Sequence, residues 1–232
     1  MTTATASGRP ITLYRTSVGK KAAMAASGVV MYGYVLAHMV GNLKVFSGAE
    51  HFDDYAAFLR RIGEPILGHA WFIWAMRPIL LGALVVHVVS ATQLTIQSKK
   101  ARPVGYRDKD VNVNYASRTM RIGGAVLLIF IVFHLLNLTF GWVHPGGEFH
   151  HGAVYANTVS TLEVGWVAAL YLVAMAALGF HLFHGMWSIF QTFGINSPER
   201  DRVARIFAAG SAIVIAGGFS LVPLGVLFGQ LD

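Results

Sequence analysis

Four of the five long apolar stretches in this chain carry histidine well inside their ends: His38, His87, His134, and then His181 with His184. The fifth has none. A polar ring in hydrocarbon is unfavourable unless it is hydrogen-bonded or coordinates something. Taken singly, such a residue is explained by packing. A histidine in each of four consecutive spans is a different matter, because it is the supply needed for two bis-histidine haems held between helices, two neutral imidazoles per iron. Iron with both axial positions filled does not readily bind oxygen or substrate and is suited to passing single electrons. In the stretch FHLFHG at 180–185 two histidines stand three residues apart with no carboxylate beside them. Residue types alone leave open which of the two is a ligand.

The elements that must position these rings are membrane spans. Of 232 residues 55% are hydrophobic and 12% charged, where a soluble domain carries about a quarter charged residues; mean hydropathy is +0.55. Stretches near 22–46, 74–96, 122–142, 164–193 and 206–228 are long enough to cross a bilayer, which takes about 20 helical residues. Their continuous rather than alternating apolar character excludes barrel strands. The expected fold is all-α: an integral membrane bundle of five transmembrane helices forming one domain over 1–232. Glycines inside the spans, among them Gly28, Gly33, Gly41, Gly82, Gly123, Gly124, Gly179, Gly217 and Gly218, allow a neighbouring helix or a flat cofactor to approach closely. There is no cysteine, so this chain brings no disulfide and no thiolate for zinc or an iron–sulfur cluster. The N-terminal segment lacks a short apolar core followed by a cleavage site, so the first span is expected to be retained. In EHFDDYAAFLRRIG at 50–63, Phe52, Tyr55, Ala56 and Leu59 share one face, which predicts a short helix on the outer surface.

Basic residues set the orientation. Arg9, Arg15, Lys20 and Lys21 precede the first span; Lys99, Lys100, Arg102, Arg107, Lys109, Arg118 and Arg121 fill the second connection; Arg200, Arg202 and Arg205 precede the fifth span. The third connection and the C-terminal tail have none, and in the first connection the basic residues are offset by acidic ones. The N-terminus is therefore expected in the cytoplasm and the C-terminus outside. The net charge of +7 is accounted for by topology, without nucleic acid. At 1.5 Å per residue, His38 stands roughly 26 Å from Lys21, His87 roughly 18 Å from Lys99 and His134 roughly 20 Å from Arg121. These depths pair His38 with His134 around an outer haem and His87 with His181 around an inner one. His51, His69, His144, His150 and His151 fall in outer connections and read as solvated loop residues; the adjacent His150 and His151 lack a third metal ligand.

Four stretches together resemble one family: SVGKKAAMAASGVVMYGYVLAHMVGNLKVF at 17–46, KARPVGY at 100–106, YASRTMR at 115–121 and GFHLFHGMWSIFQTFGINSP at 179–198. The chain resembles the single-chain, five-helix cytochrome b subunit of succinate dehydrogenase and fumarate reductase, the membrane anchor of respiratory complex II. The resemblance implies two b-type haems, quinone as membrane substrate with menaquinone the expected type, and location in the inner (cytoplasmic) membrane. It also implies two cytoplasmic partners in an assembly open to higher oligomers: a flavoprotein subunit with FAD and an iron–sulfur subunit with three clusters. The family's axial ligands match His38 in LAHMVGN, His87 in VVHVVSA and His134 in VFHLLNL. In the fourth span His181, the first histidine of HxxHG, matches the ligand, and His184 matches a neighbour that packs or hydrogen-bonds near the inner haem.

A quinone headgroup needs hydrogen-bond donors at a polar edge of the bundle. Candidates are Ser17, Ser27, Arg118, Trp187 and Gln191 near the inner edge, and Glu163 and Asn137 near the outer. Two other readings compete with the leading one. A purely structural anchor would use its histidines for packing and bind no haem, and a cytochrome b of the same design would serve another membrane oxidoreductase, such as a hydrogenase or ferric reductase.

Overall fold

The structure, a computed structural model, describes residues 14–101, 111–192, 194 and 197–232, with backbone alone at 111–118. Several residues used above lie outside the described ones: Arg9, Arg102, Arg107, Lys109 and the side chain of Arg118, with 102–106 of the KARPVGY stretch and Phe193, Ile195 and Asn196. No strand occurs among the described residues. The helices are α1 (Ser17–Asn42), continued by a 3-10 turn (Leu43–Ser47), then α2 (Ala49–Arg61) and α3 (Trp71–Lys100). They are followed by α4 (Val111–His134), a π turn (Leu135–Thr139), α5 (Val154–Glu163), α6 (Gly165–Thr192) and α7 (Pro198–Leu227). Among the described residues, five segments are long and apolar enough to cross a membrane: Ser17–Ser47, Trp71–Lys100, Thr119–Thr139, Gly165–Thr192 and Pro198–Leu227.

Local sequence explains where these helices start. Thr16 caps α1 by accepting from the Gly19 N–H at 3.0 Å. Ser197 caps α7 by accepting from the Arg200 N–H at 3.3 Å, with Pro198 at the first helical position, where its missing donor is harmless. The long helices bury little of themselves against one another. Leu81, Ile129, Val173 and Ile213 are each 60% exposed or more, as expected of side chains whose solvent is lipid rather than water.

Neighbouring spans run antiparallel, and the contacts fix their register. Tyr171 near the start of α6 meets His134 at the end of α4, and further along α6 His181 meets Gly124. Gly218 of α7 packs on Met39 of α1 and Gly225 on Phe46, so these two helices run the same way. Small residues permit the closest approaches: a Cβ on Gly179 would stand 3.3 Å from that of Ala216, where α6 crosses α7. One end of the bundle therefore carries the connections 43–70 and 140–164 with the C-terminus. The exposed Trp74, Trp142 and Trp166 gather at that end, the pattern of an interfacial belt. Lys21, Lys99, Lys100, Arg121 and Arg205 lie at the other.

Two short helices cap the tryptophan end. α2 is the amphipathic helix expected there: Phe52 is buried beside Val45 and Val159, and Tyr55, Ala56 and Leu59 are half-buried. The second, α5, falls where the sequence reads as a plain connection. Its Asn157, Thr158, Ser160 and Thr161 are weak helix formers, because their side chains compete for backbone groups. Tertiary contacts override that preference. Asn157 both accepts from the His150 N–H at 3.0 Å and donates to its carbonyl at 2.7 Å, and Leu162 is 2% exposed. The Tyr155 N–H donates to Asp53 of α2 at 2.8 Å, tying the two caps together.

Candidate functional site

The histidines of the spans meet in two pairs at two levels. Near the capped end, His38 of α1 faces His134 of α4 with ring centroids 6.0 Å apart. Deeper in the bundle, His87 of α3 faces His181 of α6 with centroids 6.1 Å apart. Three helices serve both levels at an interval of ten residues, about 15 Å of helix rise. α1 carries Gly28 and His38, α4 carries Gly124 and His134, and α6 carries Tyr171 and His181. The glycines are clearances. A Cβ on Gly28 would come within 3.4 Å of the His87 ring and one on Gly124 within 3.6 Å of the His181 ring.

Hydrogen bonds orient the rings. His87 Nδ1 lies 3.1 Å from the carbonyl oxygen of Met24, which can only accept, so Nδ1 carries the proton and Nε2 keeps its lone pair. Ser27 stands beside it, its oxygen 3.5 Å from Nδ1 while its hydroxyl donates to Ala23 at 2.8 Å. At the other level His134 Nδ1 lies 3.2 Å from the Tyr171 hydroxyl. Tyr171 donates to Asn137 Oδ1 at 3.0 Å, and Asn137 Nδ2 donates to the Val143 carbonyl at 2.9 Å and to Thr161 Oγ1 at 3.1 Å. Thr161 Oγ1 in turn is 3.0 Å from His144 Nδ1, and His144 Nε2 is 3.2 Å from Ser160 Oγ. His38 stacks on Tyr34 with centroids 5.3 Å apart.

The remaining candidates fall elsewhere. His184 packs on Phe183 at 5.0 Å, and its Nδ1, like that of His181, is buried without a hydrogen-bond partner in this structure. Trp187 is engaged: its N–H donates to Asp201 at 2.8 Å while Arg205, also bound to Asp201 at 2.8 Å, lies over its ring. Gln191 sits at the same Asp201. Asn137 is fully buried inside the network above, Ser27 serves His87, and Ser17 and Glu163 are exposed. His51, His69, His150 and His151 are exposed. His144 departs from the expectation of a solvated loop residue, because it is half-buried and hydrogen-bonded through both ring nitrogens. Burial holds its imidazole below the usual value, and the nearby His150 adds to this against a bond to the Asn137 backbone. Sequence reading missed Tyr171 and Thr161, which carry no local signal in an apolar span and a polar loop. The repeated Gly-to-His interval of ten in α1 and α4 is a signal by which the clearances are legible.

These donors fit haem. Two imidazoles on opposite faces of one metal, with bonds of about 2 Å, have ring centres roughly 6 Å apart. No group of three or more His, Cys, Asp or Glu able to hold a bare metal ion occurs among the described residues. A site offering two facing imidazoles and nothing else suits iron that brings its equatorial ligands with it.

Comparison with known proteins agrees. Residues 112–220 match the family described as succinate dehydrogenase/fumarate reductase transmembrane subunit. The chain is also 25% identical over 204 residues to the succinate dehydrogenase cytochrome b558 subunit of Bacillus subtilis (strain 168), covering 84% of this chain and 92% of that one. Both matches point to one kind of membrane subunit. The family match takes in His134, Asn137, Tyr171, His181 and His184, whereas His38 and His87 precede it. No solved structure matches the chain.

Proposed function

We propose that this chain is a membrane-anchor cytochrome b subunit of the succinate dehydrogenase/fumarate reductase type, which binds two b-type haems, one between His38 and His134 and one between His87 and His181, and passes electrons between an iron–sulfur partner and membrane quinone. The observation that carries the reading is the pair of facing rings at each of two levels, with centroids 6.0 and 6.1 Å apart. When bound, each haem supplies a one-electron carrier whose potential depends on its axial ligands and burial. The chain's own part is to orient the rings. His87 is held as the Nδ1–H tautomer by Met24, His134 is held by Tyr171, and Gly28 and Gly124 leave the rings room. His184 packs beside the inner pair as a neighbour, not a ligand.

The rest of the reading rests on the similarity to that family and on charge. The whole chain forms one transmembrane domain in the inner (cytoplasmic) membrane, with its N-terminus in the cytoplasm and its capped end outside. The flavoprotein subunit, with FAD, and the iron–sulfur subunit dock at the basic end, where Lys99, Lys100 and Arg121 lie, in an assembly open to higher oligomers. The quinone is menaquinone.

The test is a reduced-minus-oxidised spectrum with a haem-to-protein ratio on the purified complex. Two b-type haems per chain are expected, with the flavoprotein and iron–sulfur subunits co-purifying. Absence of a b-type α-band would establish the haem-free anchor instead, and co-purification with a different dehydrogenase would reassign the partner.

A further inference from the structure

The geometry points to Tyr171, oriented by Asn137, as a positioning residue for the outer pair: it holds His134 with its proton on Nδ1 and lowers the potential of the haem bound there. This rests on the dihaem reading above. The polarity of the hydrogen bonds is forced from one end. The Val143 carbonyl only accepts, so the Asn137 atom 2.9 Å from it is the amide nitrogen. That turns Oδ1, which also only accepts, toward Tyr171. The phenol has one proton and gives it to Oδ1 at 3.0 Å, so toward His134 at 3.2 Å it can only accept. His134 Nδ1 is therefore the donor, and Nε2 is the nitrogen with a free lone pair. Asn137 is fully buried and Tyr171 is 9% exposed, which leaves the amide no room to be replaced by water.

An imidazole that donates its second N–H is a more basic ligand, and a more basic ligand favours ferric over ferrous iron. The inner pair is arranged differently. His87 donates straight to a backbone carbonyl and His181 Nδ1 is unpartnered, so removing the phenol hydroxyl alters one level only. The ring itself is held independently of its hydroxyl. Tyr171 meets Phe130 edge-on at 4.9 Å, and Phe130 stacks on His134 at 5.8 Å. Tyr171→Phe therefore keeps the packing and deletes one hydrogen bond.

The experiment is a spectroelectrochemical titration of both haems in the purified complex, with low-spin EPR, for wild type and Tyr171→Phe. The outer haem is identified as the one lost in His38→Ala. Its ferric preference should fall about tenfold, a rise of about 59 mV for one electron, with its EPR signal shifted and the inner haem unchanged. Unchanged potentials and signals at both haems would overturn the assignment, as would an equal shift at both. If Tyr171→Phe loses the outer haem altogether, Thr161→Val decides: it loosens the far side of the network without touching Tyr171. Retention of both haems in Thr161→Val supports the assignment, and loss of the outer haem there too marks a packing defect and overturns it. A wild-type chain without haem sinks the dihaem reading itself, and this inference with it.

Discussion

Gly28 of the first helix lies against His87 of the second span: a Cβ there would stand 3.4 Å from Cε1 of the ring. A methyl at that distance is tolerated, whereas a longer side chain must enter the space of the ring. Gly28→Leu should therefore cost about 1–3 kcal/mol of stability by overpacking and reduce haem content from two per chain to one. Gly33, which has nothing within 4 Å of a Cβ, is the control. Gly33→Ala should keep both haems. A haem-to-protein ratio reads both variants, and two haems in Gly28→Leu would refute the clearance.

His181 and His184 make the second prediction. His181→Ala should abolish the inner haem signal, because His181 is the ring facing His87. His184→Ala should leave both haems in place and shift the inner potential. Redox-titrated spectra separate the outcomes, and loss of a whole haem in the His184 variant alone reverses the assignment.

Much of this arrangement is legible in the sequence. Hydropathy gives five spans, counting at the helical rise brings His38 level with His134 and His87 level with His181, and the spacing of Phe52, Tyr55 and Leu59 gives the amphipathic cap. The residues that orient the rings are not legible. Tyr171 is one aromatic among many in an apolar span, and Thr161 belongs to a polar run whose propensity argues against the helix it forms. Their roles arise only where α6 crosses α4 and α5 folds back over both. Trp187 and Asn137, attractive as quinone donors by type and depth, have their N–H groups engaged by Asp201, Val143 and Thr161.

The turn at Gly146 gives a third prediction. A Cβ there would collide with the backbone of Ser160 and Thr161, which has no rotamer by which to move aside. Gly146→Ala should push α5 off the bundle end and destabilise the protein by about 1–3 kcal/mol. Thermal unfolding in detergent is the measurement, with Gly147→Ala as a poor substitute control because Gly147 has φ +116°. Gly165, open around its Cβ, serves better.

Acid should loosen the same region. His144 has its imidazole held down by burial from the ordinary 6.5, so the folded state binds fewer protons than the unfolded one once pH falls below that value. Its contribution is complete above about pH 6.5 and declines as pH drops further. Protection against hydrogen exchange across Val154–Glu163, taken relative to the intrinsic rate at each pH, should be lower at about pH 5.5 than at about pH 7.5, and His144→Gln should remove that difference. An equal acid effect in the glutamine variant would assign it to another group.

Both oriented rings trace back to main-chain carbonyls: His87 directly to Met24, and His134 through Tyr171 and Asn137 to Val143. A carbonyl is the one acceptor that every amino acid carries, proline included. Positions 24 and 143 are thus free to drift in identity without reversing the proton at either ring. Anchors of this kind survive changes of side chain, so chains only a quarter identical have room to keep the same proton on the same imidazole nitrogen.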